Sequence, residues 1–156
     1  MFGRTLMKKT VELVLFSSDD DYRKEYVDTY VNNSFNLWGV PVIFDEKSFN
    51  HIFFEPQKGN LKIRVFSKRR AKRMYFMKAV LDYDIKKEVM FESDSGNFAI
   101  FCLDLECVVY LRNRAGHKSL QVVTFFDFGK DHIKMYNKQK RKCTPIDSVQ
   151  LRDKLI

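Results

Sequence analysis

Hydrophobic and polar residues alternate along several stretches of this chain in the manner of β-strands. Residues 10–16, "TVELVLF", alternate with a period of two and predict a half-buried strand. Short strands or extended pieces are predicted at "PVIFDE", "NHIFFEP" and "NLKIRVF". Four further β-rich runs, "KEVMFE", "NFAIFCLD", "ECVVYLRN" and "LQVVTFFDF", are separated by "SDSG", "DLE" and "RAGHKS". Turn-forming residues between such runs predict a four-stranded antiparallel meander.

Two segments follow a helical period instead. In "SSDDDYRKEYVDTYVNN", Ser17 or Ser18 is placed to cap a helix whose first turn carries three aspartates, and the helix is expected to reach about Val31. Ser67 is placed to cap a second helix, and a short helix is expected after Pro145. The second helix has a narrow apolar stripe and leaves its basic residues and Phe76 mostly off that stripe. The stripe consists of Ala71, Met74, Met77 or Lys78, and Leu81.

These elements predict an α+β fold in which helices pack on an antiparallel β-sheet of four or more strands. The whole chain, residues 1–156, is expected to form a single domain. Within it we distinguish an N-terminal strand–helix extension (1–45), a core (46–128) and a basic C-terminal tail (129–156). The extension either packs on the core or offers a docking surface, and the sequence leaves both alternatives open.

Composition excludes several classes of protein. Apolar residues make up 45% and aromatic residues 15% of the chain, which excludes a disordered polypeptide. No apolar run approaches the roughly 20 residues that span a bilayer, so no membrane association is expected. The three cysteines, Cys102, Cys107 and Cys143, form no CxxC pair, which argues against a disulfide framework or a zinc site. A cytoplasmic location is the expectation that follows.

Charge is distributed very unevenly along the chain. The net charge is +8, yet no acidic residue lies between Glu55 and Asp82. Exposed helices usually mix both signs of charge, so a one-signed segment favours an anionic partner over a solvated surface, which remains the alternative. The cations of residues 56–81 are Lys58, Lys62, Arg64, Lys68, Arg69, Arg70, Lys72, Arg73 and Lys78.

A histidine lies just before this basic segment. His51 is either a general acid or base, since histidine titrates at about pH 6.5, or a hydrogen-bonded histidine partly buried under the sheet. His117 lies in a predicted turn, and His132 follows the last predicted strand. Thr124 in "QVVTFFDF" is either a β-forming residue or a ligand of a phosphoryl oxygen, and the alternation does not decide whether it shares a face with Val122 and Phe126.

Two further chemistries are open at this level. Aromatic residues of the predicted meander either fill the core or stack on nucleic-acid bases; they are Phe98, Phe101, Tyr110, Phe125 and Phe126. A metal-dependent nuclease requires converging acidic residues, and the nearest candidate sets have unconvincing spacing. They are Asp45 and Glu55 with Lys58, or Asp104 with Glu106.

The order of a histidine, the basic helix "FSKRRAKRMYFMKAVL" and a meander ending in "LQVVTFF" resembles the Barnase–EndoU–colicin–RelE superfamily of phage- and toxin-associated nucleases. The resemblance covers residues 50–128. Tyr75 and Phe76 stand where members of that superfamily commonly carry a tryptophan. The positions that match the superfamily pattern are His51, Arg64, the Arg69/Arg70 pair and Thr124.

The resemblance implies a metal-independent endoribonuclease that needs no cofactor and leaves a 2′,3′-cyclic phosphate. His51 would transfer protons, Arg64 and Arg70 would hold the phosphate, and Thr124 would orient a non-bridging oxygen. Further RNA contacts are expected from Lys62, Lys68, Arg69, Lys72 and Arg73. The implied partners are RNA, including tRNA, and an antitoxin or immunity protein. The alternative is a non-catalytic module that binds nucleic acid or protein through residues 56–81.

Overall fold

The computed structural model describes residues 11–82, 84–128 and 132–156. Its helices are α1 (Asp19–Tyr26, continued by a π-helical turn at Val27–Val31), α2 (Ser48–Phe53), α3 (Lys68–Ala71), α4 (Tyr75–Asp82), α5 (His132–Lys140) and α6 (Ser148–Asp153). Its strands are β1 (Phe35–Leu37), β2 (Val40–Ile43), β3 (Phe54–Gln57), β4 (Asn60–Phe66), β5 (Glu88–Glu92), β6 (Asn97–Cys102), β7 (Cys107–Arg114), β8 (Ser119–Asp127) and β9 (Thr144–Pro145).

Within the described residues, seven strands form one mixed sheet in the order β1-β2-β8-β7-β6-β5-β9. The predicted meander is confirmed, because β5 to β8 pair antiparallel in sequence order. The sheet is not wholly antiparallel, since β2 runs parallel to β8 through the pairs Val42–Leu120 and Ile43–Gln121. The strands β3 and β4 form a separate antiparallel hairpin. The α+β class is therefore confirmed.

The two faces of the seven-stranded sheet are covered differently. The main core lies on one face and includes Val109, Leu111, Val122 and Phe125 together with the buried side chains of α1, α2 and α4. We call the opposite side the outer face. On it, α5 covers a smaller cluster formed by Met90, Ala99, Phe101, Val108, Phe128 and Tyr136. No helix in the described parts of the chain is long and apolar enough to cross a bilayer.

The helix α1 forms as predicted. Ser18 accepts a hydrogen bond from the amide of Asp21, and the three aspartates occupy the first turn. Tyr22, Tyr26 and Tyr30 are fully buried at helical spacing, and their rings pack against the phenylalanines of the main core. The capping residue and the apolar period of the sequence therefore define this helix locally.

Residues 68–82 form two helices instead of one. Ser67 caps α3 by accepting a hydrogen bond from the amide of Arg70, as predicted. The predicted stripe is confirmed, because Ala71, Met74, Met77 and Leu81 are all buried. Phe76, expected mostly off the stripe, is only 8% exposed.

The hydroxyl of Tyr30 joins α1 to the start of α4. It donates a hydrogen bond to the carbonyl of Met74 and accepts one from the amide of Lys78 at 2.9 Å. Burial raises the pKa of Tyr30 well above its ordinary value, so the hydroxyl keeps its proton. These contacts lie 44 and 48 residues from Tyr30 along the chain and fix where α4 begins relative to α1.

One predicted strand is wrong, and a second predicted extended segment is only partly right. Residues 11–16 form no strand, and their buried side chains, Val11 and Val14, are three residues apart and not two; Thr10 lies outside the described residues. Instead of pairing in a sheet, Val14 donates its amide to the carbonyl of Lys72. In the segment "NHIFFEP", the residues up to Phe53 belong to helix α2, because Phe49, Ile52 and Phe53 are buried at helical spacing. The rest of the segment, from Phe54 on, belongs to strand β3 as predicted.

Residues flanking the predicted core contribute to the same sheet. On the N-terminal side, β1 and β2 extend it beyond β8, and on the C-terminal side β9 pairs with β5 through Met90–Pro145 and Phe91–Thr144. The short helix expected after Pro145 is α6, whose capping box joins Asp147 and Gln150. The basic tail is therefore a structured part of the molecule from His132 onward.

A polar cluster holds α5 on the outer face. The hydroxyl of Tyr136 donates to the carboxylate of Glu88, and Lys140 Nζ lies 2.6 Å from the same carboxylate. Burial raises the pKa of Glu88, but the hydrogen bonds from Lys140 and Tyr136 outweigh it, so the net shift is downward. The charged form of Glu88 therefore stabilises the folded state.

We expect Glu88→Gln to lower the unfolding free energy by less than about 1 kcal/mol at pH 7, because the ion pair is one third exposed. The folded pKa lies below the ordinary value of 4.5, so this contribution is present above the unfolded pKa and disappears as the pH falls through the folded pKa. Urea unfolding of both proteins between pH 7 and pH 3 should show their stabilities converging. Glu92→Gln, on the same strand, is the matched control, and a pH-independent loss in Glu88→Gln would contradict the expectation.

Candidate functional site

His51 projects from α2 into solvent beside the longest described strand of the sheet. Helix α2 packs on β8, and buries Phe49, Ile52 and Phe53 while leaving His51 exposed. The interpretation of His51 as a histidine partly buried under the sheet is therefore wrong. The imidazole lines an open pocket together with Asp45, Lys47, Ser48, Arg112, Gln121, Val122 and Val123.

Two arginines of the basic segment reach the carbonyl end of the same helix. Arg64 Nη2 donates to the carbonyl oxygens of His51 at 3.3 Å and Phe54 at 2.5 Å. Arg70 Nη1 donates to the carbonyl oxygen of Ile52 at 3.3 Å. Guanidinium groups are favourable there because the last carbonyls of a helix carry partial negative charge and lack partners within the helix. The fold thus brings Arg64 and Arg70 next to the backbone of His51.

Carboxylates partly neutralise the adjacent arginine pair. Arg69 contacts the carboxylate of Asp127 and lies 3.8 Å from Glu55, and Arg70 Nε lies 3.5 Å from Glu55 Oε2. The contact of Arg70 Nε is within ion-pair distance but is not aligned as a hydrogen bond. Burial lowers the pKa of Arg70, and the charge of Glu55 opposes that shift. Glu55 was a candidate only for a metal site, and Asp127 was not predicted as a member of the site.

A β-bulge decides where Thr124 points. Tyr110 pairs with Thr124, whereas the next residue of β7, Leu111, pairs with Val122, so Val123 is the extra residue. Thr124 therefore lies on the outer face with Phe126, and Val122 lies on the core face. This settles the alternative that alternation left open. Thr124 is half-buried and lies along β8 from the pocket of His51, outside its lining.

Of the five aromatic residues predicted to fill the core or to stack on bases, two are accessible at the surface. Phe98, Phe101 and Phe125 are fully buried and fill the core, whereas Tyr110 and Phe126 are half-buried on the outer face. Their ring centroids are 5.6 Å apart, and the Arg70 guanidinium lies 5.9 Å from the centroid of Phe126. Tyr110 donates its hydroxyl to Gln139, and burial raises its pKa to about 12. The two uncharged rings therefore lie beside Thr124 on the outer face.

The remaining predicted residues do not converge on one point. Lys62, Lys68 and Arg69 are exposed, while Lys72 and Arg73 are half-buried, and Arg73 Nη1 donates to the carbonyl of Arg69 at 2.8 Å. His117 is exposed in the turn between β7 and β8. His132 begins α5. The basic segment is thus a broad cationic surface and not a single cluster.

Two cationic residues in the pocket of His51 were not predicted from the sequence. Lys47 lines the pocket from the loop before α2, and Arg112 lines it from β7 while donating to Gln121 Oε1 at 3.0 and 3.3 Å. Arg112 is two residues after Tyr110 in β7, and this spacing predicts that both side chains lie on the same face of the strand. Arg112 and His51 line the same pocket because α2 packs against β8. Patterns of neighbouring residues in the sequence do not predict this packing.

In the described ranges, no group of three or more His, Cys, Asp and Glu side chains is placed to hold a metal ion. Asp104 and Glu106 lie at the turn between β6 and β7, and Glu55 lies on β3.

Fold and site together define a mixed α+β protein with an open cationic surface along β8 and the end of α2. No protein-family model matches this chain, and no match was found among curated proteins or among solved structures.

Proposed function

We propose that this protein is a metal-independent endoribonuclease with a site of the Barnase–EndoU–colicin–RelE type. One observation carries the proposal: Arg64 and Arg70 are anchored on backbone carbonyls at the end of α2, the helix that exposes His51. General acid–base groups next to fixed cations are what phosphodiester cleavage without a metal requires.

The chemistry assigns a task to each group. A base removes the proton of the ribose 2′-hydroxyl, the 2′-oxygen bonds to phosphorus, the bond from phosphorus to the 5′-oxygen breaks, and an acid protonates that oxygen. His51 carries one of these proton transfers. Asp45, which lines the same pocket, is the carboxylate placed beside it for the other, whereas Glu55 is paired with Arg69 and Arg70. The products are a 2′,3′-cyclic phosphate and a 5′-hydroxyl.

The cations and the hydroxyl stabilise the charge that develops on the phosphate. Lys47 and Arg112 line the pocket of the imidazole, and Arg64 and Arg70 bind backbone carbonyls at the end of α2. Thr124 supplies a hydroxyl on the outer face for a non-bridging oxygen. The half-exposed rings of Tyr110 and Phe126 offer stacking surfaces for flanking bases.

A second candidate is a nucleic-acid-binding module without catalysis. It is favoured by the ion pairs of Arg69 and Arg70 with Asp127 and Glu55, which use guanidinium groups that a scissile phosphate would otherwise occupy. In that case the exposed lysines and arginines of residues 56–81 bind phosphates electrostatically, and His51 has no chemical task.

We expect the purified protein to cleave total RNA or tRNA in excess EDTA and to leave fragments ending in 2′,3′-cyclic phosphate. Electrophoresis with end-group analysis measures both. A DNA oligonucleotide of the same sequence is the control and should stay intact, because it lacks the attacking 2′-hydroxyl. RNA binding without cleavage would support the second candidate, and cleavage only with added Mg²⁺ or Mn²⁺ would contradict metal independence.

A further inference from the structure

One face of strand β4 in the β3–β4 hairpin presents apolar side chains to solvent. Leu61, Ile63 and Val65 alternate along β4 and are 77%, 48% and 38% exposed. Alternate residues of a strand share one face, so these three side chains form a continuous apolar stripe. Single exposed apolar residues are common, but an exposed stripe on an edge strand favours association with another chain.

The orientation of the hairpin is fixed by its other face. Phe66 packs against Tyr22 and Phe49, and Arg64 donates to the backbone carbonyls of His51 and Phe54. The phenylalanine and the arginine thus face the body of the protein. The apolar stripe is consequently held outward by contacts that anchor the strand, and turning it inward would break them.

One edge of β4 is open. Among the described residues, β4 pairs with β3 alone, through Phe54–Phe66, Glu55–Val65, Pro56–Arg64 and Gln57–Asn60. Within the described residues, the backbone groups that point away from β3 have no partner strand, and the amide of Lys62 donates to Asn60 Oδ1 at 3.3 Å. Strand addition gives affinity through main-chain hydrogen bonds and specificity through the alternate side chains.

We propose that an extended segment of an acidic partner protein adds to the open edge of β4. Its apolar residues would cover Leu61, Ile63 and Val65, and its acidic residues would lie on the face that carries the exposed Lys62. Charge selects this occupant, because residues 56–81 contain nine cations and no acidic residue. The inference does not depend on the proposed ribonuclease activity.

Two other occupants fit the charge less well. A second copy pairing antiparallel about Ile63 would place Lys62 opposite Arg64, and like charges directly opposite each other destabilise a strand pair. Residues 1–10 of the same chain carry Arg4, Lys8 and Lys9 and no acidic residue, so they would add further positive charge.

The experiment is an NMR titration of the ¹⁵N-labelled protein with a synthetic eight-residue peptide of alternating isoleucine and glutamate, flanked by prolines against self-pairing. We expect shift changes concentrated at the amides of residues 60–66. Ile63→Lys should weaken binding at least about tenfold. The matched control, Leu103→Lys, changes an exposed apolar residue elsewhere, at the end of β6, and should leave the affinity unchanged.

Three results would overturn the proposal. The first is an unchanged spectrum at residues 60–66. The second is equal binding of a peptide with lysine in place of glutamate. The third is a dimer in sedimentation that Ile63→Lys converts to a monomer, since a second copy would then be the occupant.

Discussion

His51→Ala is expected to reduce RNA cleavage by about 10²–10⁴-fold, which is the usual contribution of a positioned general acid or base. The imidazole is exposed and lines an open pocket, so its removal should leave folding intact and affect chemistry alone. Cleavage of tRNA in EDTA measures the rate, and RNA affinity measured in parallel should change little because the surrounding cations are retained.

The chain offers a matched control for this variant. His117 is also exposed, but it lies in the turn between β7 and β8 and does not line the pocket of His51. His117→Ala should therefore cleave RNA at the rate of the unchanged protein. Equal cleavage by the protein and by His51→Ala would remove His51 from the mechanism. Equal losses in both histidine variants would point to a general effect on RNA binding instead of proton transfer.

Tyr30→Phe is expected to lower the unfolding free energy by about 1–3 kcal/mol. The substitution removes the hydroxyl that donates to Met74 and accepts from Lys78 in a site closed to water. Buried backbone groups that lose a partner are destabilising, and no solvent reaches this position to replace the hydroxyl. Urea unfolding monitored by circular dichroism gives the free energy directly.

Tyr110→Phe is the control that shows how much of the effect of Tyr30→Phe is due to burial of the hydroxyl. Its hydroxyl donates to a side chain, Gln139, and the ring is half-buried on the outer face, so water can replace the lost bond and the destabilisation should stay below that of Tyr30→Phe. Equal effects would mean that the two backbone groups near α4 find other partners when Tyr30 loses its hydroxyl.

Local patterns predicted a large part of this fold. The capping roles of Ser18 and Ser67, the buried tyrosines of α1 and the meander from β5 to β8 all follow from residues that are neighbours in sequence. Caps and helical stripes depend on positions three or four apart. Tight turns pair strands that follow each other along the chain. Such features need no knowledge of distant residues.

The features that the sequence did not predict depend on residues far apart in the chain or on very short segments. The parallel pairing of β2 with β8 joins residues almost 80 positions apart, and β9 reaches β5 from the far end of the chain. The sequence predicts an extended segment where helix α2 forms. The helix has only six residues, and in so short a stretch the helical period cannot be distinguished from the alternation of a strand. The face of Thr124 was undecided because a one-residue bulge reverses the alternation after it.

The candidate site shows the same division. The sequence by itself determined the residue types: a histidine, a one-signed run of cations and an aromatic strand with a threonine. The tertiary structure decided that Arg64 and Arg70 bind backbone carbonyls at the end of α2 and that Arg112 and His51 line one pocket. It also decided that Asp127 and Glu55 pair with the arginines. The physical reason is that composition and period are local, whereas a site is made by side chains whose spacing is set by helix and strand packing across the chain.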